Sequence, residues 1–169
     1  MMLMPAPTGL DRNAFIEAYG SIYEHSPWVA EAVFETRVDH AEGLAQQMQT
    51  AVDQASRELK LKLLRAHPEL VGKLELLALT QDSQSEQRGA GLTECSAEEY
   101  QAFRQLNDQY NEKFGFPFIF AVKGFHRTEI LDSFRQRVDN DIETEFETAI
   151  TQVHRIGRLR LEAMEQPND

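Results

Sequence analysis

Apolar residues recur at helical spacing along most of the chain. In residues 57–66, Leu59, Leu63 and Leu64 share one side, whereas Lys62 points to the other. This amphipathic pattern is typical of a helix that packs one face on a core. The same spacing predicts further helices after Asp11, Ser26 and Asp39, a long helix from Ser96 to Phe114, and two more over residues 128–138 and 142–164.

Helix-start signals support this division of the chain. Ser96 and Glu99 have the capping-box spacing, and Asp39 with Glu42 resembles the same motif. Ser26 followed by a proline predicts an N-cap with proline at the first helical position. We therefore predict an all-α, single-domain helical bundle of about seven to nine helices, with a flexible N-terminus over 1–10 and the helical domain over 11–165.

The stretch Phe116–Val122 is the most apolar part of the sequence. Its aromatic and β-branched residues favour a strand locally, but no other segment alternates convincingly, and one strand cannot form a sheet. We therefore predict a buried segment, extended or helical, whose backbone lines a cavity.

Composition narrows the classes of function. The 169 residues carry a formal charge of −11, which disfavours nucleic-acid binding, and no apolar run is as long as a membrane span. The single cysteine, Cys95, excludes an intrachain disulfide and a thiolate metal cluster. No metal motif and no targeting signal is recognisable, so a cytoplasmic protein without a metal site is expected.

His67 stands between the helix of residues 57–66 and Pro68. Proline disfavours the helical conformation at the preceding residue, so the helix should end there. An imidazole held at such a point suits proton transfer near neutral pH. The alternative is a C-terminal cap that meets the last helical carbonyls. These residues alone favour the cap, and the four other histidines have no matching partners in the sequence.

Four separated motifs reverse this preference and favour a catalytic role for His67. They are His67-Pro68-Glu69-Leu70; Ser83-x-x-Glu86-Gln87 followed by Gly89-Ala90-Gly91-Leu92; residues 114–124; and Ile156-Gly157-Arg158-Leu159-Arg160-Leu161. Each motif alone is weak. In this order and at these separations, they resemble the 2-oxo-4-hydroxy-4-carboxy-5-ureidoimidazoline (OHCU) decarboxylase family. The resemblance runs from about residue 13 to residue 161.

The resemblance implies an all-helical carboxy-lyase that converts OHCU to (S)-allantoin, the third step of urate degradation in purine catabolism. It implies a small-molecule substrate, no cofactor and a possible homodimer. The family substrate has a C=N bond that can accept the electron pair left by CO₂, which agrees with the lack of cofactor motifs.

The resemblance also implies the site residues. His67 matches the catalytic acid/base, and Glu86 would bind the substrate and fix the charge state of His67. In the last helix, Arg160 matches the family's arginine, although Arg158 lies close enough to leave the register open. The substrate-binding positions are Pro68, Ser83, Gln84, Ser85, Glu86, Gln87, Phe118, Ile119, Phe120, Ala121, Val122 and Arg160.

A second hypothesis is a non-enzymatic helical binding module that uses 116–122 as a groove for an apolar partner. An enzyme needs His67, Glu86, Gln87 and Arg160 around one pocket, whereas a binding groove does not.

Overall fold

The computed structural model describes residues 1–70 and 96–167. These ranges contain seven α-helices, two short 3-10 helices and two strands of two residues each. The α-helices are α1 (Arg12–Tyr19), α2 (Trp28–Val33), α3 (Ala41–Asp53), α4 (Arg57–Ala66), α5 (Ala97–Phe114), α6 (Arg127–Arg137) and α7 (Ile142–Ala163). The 3-10 helices are Pro7–Gly9 and Phe34–Thr36, and the strands are β1 (Met2–Leu3) and β2 (Glu165–Gln166). The prediction of an all-α fold is confirmed, with this small sheet as an addition. None of the helices in 1–70 and 96–167 is long and apolar enough to cross a membrane.

The chain forms two compact units. The first combines Met1–Ala66 with Val153–Asp169, and the second is His67–Gln152. In the first unit, β1 pairs antiparallel with β2, with Leu3 opposite Glu165. Leu3 is completely buried, as are the large side chains of α3 that face inward.

The core of the second unit is aromatic. Tyr110 on α5 lies edge-on to Phe118 and Phe134, with ring centroids 5.5 and 5.9 Å away. Phe118 stacks on Phe134 at 3.8 Å with an angle of 6° between the rings. These contacts tie α5, α6 and the segment between them together, so the predicted burial of this segment has a specific cause.

Several predicted helix boundaries are confirmed. The capping box at the start of α5 is present in both directions between Ser96 and Glu99, and the helix ends at Gly115, whose φ of 73° suits glycine. α4 begins after Ser56, whose hydroxyl accepts a hydrogen bond from the Leu59 amide at 3.1 Å. The last two helices start and end within one residue of their predicted limits.

Two predicted caps are wrong. Asp39 does not open α3, because its carboxylate accepts hydrogen bonds from the backbone and hydroxyl of Thr8 at 2.8 and 2.7 Å. His40 is the N-cap instead, with Nδ1 accepting from the Gly43 amide. Likewise, the hydroxyl of Ser26 donates to the carbonyl of Glu24 and leaves the start of α2 without a side-chain cap.

Candidate active site

His67 is the first residue after α4, as the following proline predicts. Its side chain is buried, with 7% of the residue exposed, and Pro68 is half-buried. Burial removes an imidazole from bulk water, so that its protonation depends on the groups that contact it. The position therefore suits a proton-transfer residue.

The loop that carries His67 is fastened to α5 through Glu69. The amide nitrogen of Asn111 donates to Oε1 of Glu69 at 2.8 Å, and that of Asn107 donates to Oε2 at 3.3 Å. The two asparagines are four residues apart on α5, so their side chains lie on the same face. Sequence reasoning missed this role of Glu69, for which the asparagine spacing is the available signal.

This contact also fixes the orientation of Asn107. A carboxylate only accepts hydrogen bonds, so the amide nitrogen must face Glu69, and Oδ1 must face away from it. That oxygen is buried and has no hydrogen-bond partner within residues 1–70 and 96–167. Buried polar atoms are usually paired. The unpaired Oδ1 of Asn107 can therefore accept a hydrogen bond from a bound molecule on the α5 side of this loop.

The segment 116–122 is neither helix nor strand. It lies between Gly115 and Gly124, which both have positive φ. Side-chain exposure alternates along its second half. Ile119 and Ala121 are buried, whereas Phe120 and Val122 are partly exposed. The alternation favours the extended form of the two predicted conformations. The predicted cavity along its backbone stays a prediction.

Two polar side chains hold the backbone of this segment. Nη1 of Arg137 on α6 donates to the carbonyl of Ile119 at 2.7 Å. The side-chain oxygen of Gln152 on α7 accepts a hydrogen bond from the Ala121 amide at 2.9 Å. The guanidinium of Arg137 also lies over the ring of Phe118, 4.4 Å from its centroid. Neither Arg137 nor Gln152 was predicted as part of the site.

Arg137 is itself held by a buried carboxylate. Its Nε donates to Oε1 of Glu145 at 2.6 Å, and the hydroxyl of Tyr110 donates to the same oxygen at 2.6 Å. Asn140 donates to the other oxygen at 3.1 Å. Burial and the neighbouring Glu145 raise the pKa of Tyr110, which keeps its hydroxyl protonated as a donor. A buried pair with this many hydrogen bonds fixes the guanidinium in place.

Arg160 lies in the first compact unit. Its guanidinium forms an ion pair with Glu24 at 2.5 Å and donates to the carbonyl of Ile22 at 3.2 Å. Arg160 is half-buried, whereas Arg158 is exposed. Of the two arginines that the sequence left open, Arg160 is therefore the one whose orientation is fixed by neighbours.

A chain of hydrogen bonds in the first unit was not predicted. Nε2 of His154 lies 3.0 Å from Oδ1 of Asp53, and Nδ1 lies 2.8 Å from the hydroxyl of Tyr23. Because ionised Asp53 can only accept, Nε2 carries the proton and Nδ1 accepts from the tyrosine. These hydrogen bonds of His154 could not be recognised from its neighbours in the sequence, and the same holds for the helix-capping roles of His40 and His126.

Electrostatics around His154 favour its neutral form. Burial lowers its pKa, while the hydrogen bond and the charge of Asp53 act in the opposite direction. Burial also raises the pKa of Tyr23, so the tyrosine remains a donor.

The remaining predicted residues, Ser83, Gln84, Ser85, Glu86 and Gln87, lie outside the described residues, as does Cys95. Within 1–70 and 96–167, no group of three or more His, Cys, Asp or Glu side chains is arranged to hold a metal ion.

The fold of this chain is similar to that of a known protein. It is similar to a solved structure of (S)-allantoin synthase, with a TM-score of 0.77 and 30% sequence identity, over 96% of this chain and 54% of that one.

Sequence comparisons agree with this likeness. The family model described as OHCU decarboxylase matches residues 8–162. The chain is 45% identical over 153 residues to the 2-oxo-4-hydroxy-4-carboxy-5-ureidoimidazoline decarboxylase of Haloferax volcanii, covering 90% of this chain and 89% of the relative. It is 42% identical over 160 residues to the enzyme of that name from Halalkalicoccus jeotgali, covering 94% and 89%. The chain therefore belongs to the OHCU decarboxylase family.

Proposed function

We propose that this chain catalyses the decarboxylation of OHCU to (S)-allantoin, the third step of urate degradation. The observation that carries the proposal is the family match, which covers 8–162 and so includes His67, the whole second unit and most of the first. Two relatives that carry this enzyme's name align over 89% of their own length.

The reaction itself explains what the protein must supply. A ring carbon of the substrate bears a hydroxyl and a carboxylate, next to a carbon doubly bonded to nitrogen. When the bond to the carboxylate breaks and CO₂ leaves, the electron pair forms a carbon–carbon double bond, and the C=N electrons move to nitrogen, which takes a proton. The enol that results loses its hydroxyl proton and gains a proton on the neighbouring carbon to give allantoin. The protein must therefore orient the carboxylate and manage these protons.

His67 is the proposed acid/base in this sequence. It removes the hydroxyl proton or shuttles a proton to carbon, and its burial after α4 supports a fixed position for these transfers. Glu86 is proposed to accept from substrate N–H groups and to set the charge of His67. The open acceptor Oδ1 of Asn107 supports the binding of a substrate rich in N–H groups.

The proposed substrate-binding residues complete the site. Arg160 would hold a carboxylate or carbonyl of the substrate, with Glu24 and the Ile22 carbonyl fixing the plane of its guanidinium. Pro68, Ser83 to Gln87, and the backbone of Phe118 to Val122 would form the rest of the pocket.

We also propose a homodimer, which the family resemblance implies, and a cytoplasmic location. Sedimentation velocity of the full chain would give the first, and cell fractionation the second. A monomer at micromolar concentration would contradict the homodimer.

Circular dichroism of the product tests the proposed activity. The enol is flat at the carbon that takes the proton, so uncatalysed decay in water should give racemic allantoin. A preference of about 1.4 kcal/mol for one face already gives tenfold enrichment of one enantiomer. We expect an optically active product, (S)-allantoin, formed faster than in the protein-free control. A racemic product at the control rate would leave the binding-module hypothesis.

A further inference from the structure

Two side-chain hydrogen bonds lie along one edge of the backbone of segment 118–122, while the carbonyl of Val122 accepts a turn hydrogen bond from the Phe125 amide. The carbonyl of Ile119 bonds to Arg137, and the amide of Ala121 bonds to Gln152. In an extended chain, the carbonyl of one residue and the amide two residues later point to the same side. The exposure pattern of residues 119–122 has the period of two that an extended chain requires. Two side chains therefore replace the neighbouring strand that this edge lacks.

The opposite edge of the segment presents the peptide groups of Phe120. In the same geometry, the N–H and C=O of Phe120 point away from Arg137 and Gln152. The N–H donor and the C=O acceptor of Phe120 are then adjacent, and together they can bind a ligand that has neighbouring C=O and N–H groups. The OHCU ring and its ureido group contain such pairs.

We propose that Arg137 and Gln152 are positioning residues for substrate binding, which hold one edge of 118–122 so that the peptide groups of Phe120 meet the substrate. The inference rests on the proposed function. Neither side chain needs to touch the substrate, and both act through the segment between them.

The contacts of Arg137 support its role in positioning the segment. Its guanidinium serves three groups at once, namely the Ile119 carbonyl, the Phe118 ring and the buried Glu145. Glu145 and Tyr110 are completely buried, so the guanidinium has a rigid base. The anchor thus fixes the ring and the carbonyl of adjacent residues in the segment.

Gln152 allows the sharper test, because one substitution removes its acceptor and another keeps it. Gln152→Leu loses the bond to Ala121, whereas Gln152→Glu retains an oxygen for it. We expect Gln152→Leu to raise KM for OHCU by about five- to tenfold and to lower the enantiomeric excess of the product. Gln152→Glu should keep both near the wild-type values. Gln136→Leu, an exposed position on α6, serves as the matched control.

Arg137→Lys provides a second variant. Lysine keeps a positive charge beside Glu145, but one ammonium cannot reproduce the fork that reaches the Ile119 carbonyl as well. We expect the same direction of change in KM. We also expect this variant to lose stability, because Arg137 is buried and paired with Glu145. Its kinetics are therefore measured well below its Tm, and a lower Tm alone does not support the proposal.

Amide hydrogen exchange separates this inference from the proposed function. Exchange at the Ala121 amide should be about five- to tenfold faster in Gln152→Leu than in the wild type, and not in Gln152→Glu. A wild-type protein without decarboxylase activity would overturn the proposed function, and the inference with it, even if the exchange result showed an anchored segment. An active wild type with unchanged KM, enantiomeric excess and exchange in Gln152→Leu would overturn only the inference. The inference alone would also be overturned if kcat of Gln152→Leu fell only in proportion to the fraction of protein that is folded.

Discussion

The side-chain amide of Asn111 donates a 2.8 Å hydrogen bond to Glu69 across 42 residues of sequence. This bond connects the last turn of α5 to the loop that follows the proposed catalytic histidine. A loop of this kind moves freely unless something fixes its polar groups, so Glu69 limits where His67 and Pro68 can lie.

Removing the charge of Glu69 should therefore affect both stability and turnover. Glu69→Gln presents an amide group toward two other amides, and we expect a loss of about 1 kcal/mol in the free energy of unfolding. The kcat/KM for OHCU should fall roughly tenfold or more, because small displacements of a reacting group are costly. Urea titration and steady-state kinetics give the two values. Glu112→Gln, exposed on the same helix, is the control and should change neither.

His67 carries the proton-transfer hypothesis. His67→Asn should lower kcat by about 10²- to 10⁴-fold while Tm changes by only a few degrees, because asparagine retains polar atoms but cannot exchange a proton near neutral pH. His126→Asn is the matched control, because His126 is an exposed N-cap and asparagine caps helices well. Near wild-type turnover in His67→Asn would remove its assignment as acid/base.

The helix pattern and the first turn of α5 could be predicted from sequence because both depend on neighbours within a few residues. Ser96 and Glu99 satisfy each other locally, and Pro68 ends α4 by local sterics. Asp39 has the same capping-box spacing to Glu42, yet its carboxylate accepts a hydrogen bond from Thr8, 31 residues away, and does not cap the helix.

The site was predicted only in part for the same reason. A motif identifies His67, but helical periodicity does not show which distant polar group a side chain meets. The bonds of Glu69 to α5 and of Ala121 to Gln152 join residues more than 30 positions apart. Arg137 belongs to a helix whose pattern gives no hint that it is buried.

His154 makes stability depend on pH. Its pKa in the folded protein lies below the ordinary value of 6.5, so the unfolded chain binds its proton more readily. Its contribution to stability is therefore complete above that value and is lost as the pH falls from 6.5 toward the lower folded pKa. In urea titrations from pH 8 to 5, His154→Gln should lose less stability on acidification than the wild type.

The substrate supplies its own electron sink, so activity should survive removal of metals and cofactors. We expect full turnover after exhaustive dialysis against a chelator, and no increase when zinc, magnesium or pyridoxal phosphate is added back. Activity that returned only on addition of one of these would contradict a cofactor-independent mechanism.

The pairing of β1 with β2 places residues 2–3 directly beside residues 165–166. Strands paired in this way lie about 5 Å apart, a gap that a few glycines can span. The fold should therefore tolerate a different order of the described helices along the chain. A circular permutant that joins these neighbouring segments and opens the chain at an exposed turn elsewhere should recover the same fold.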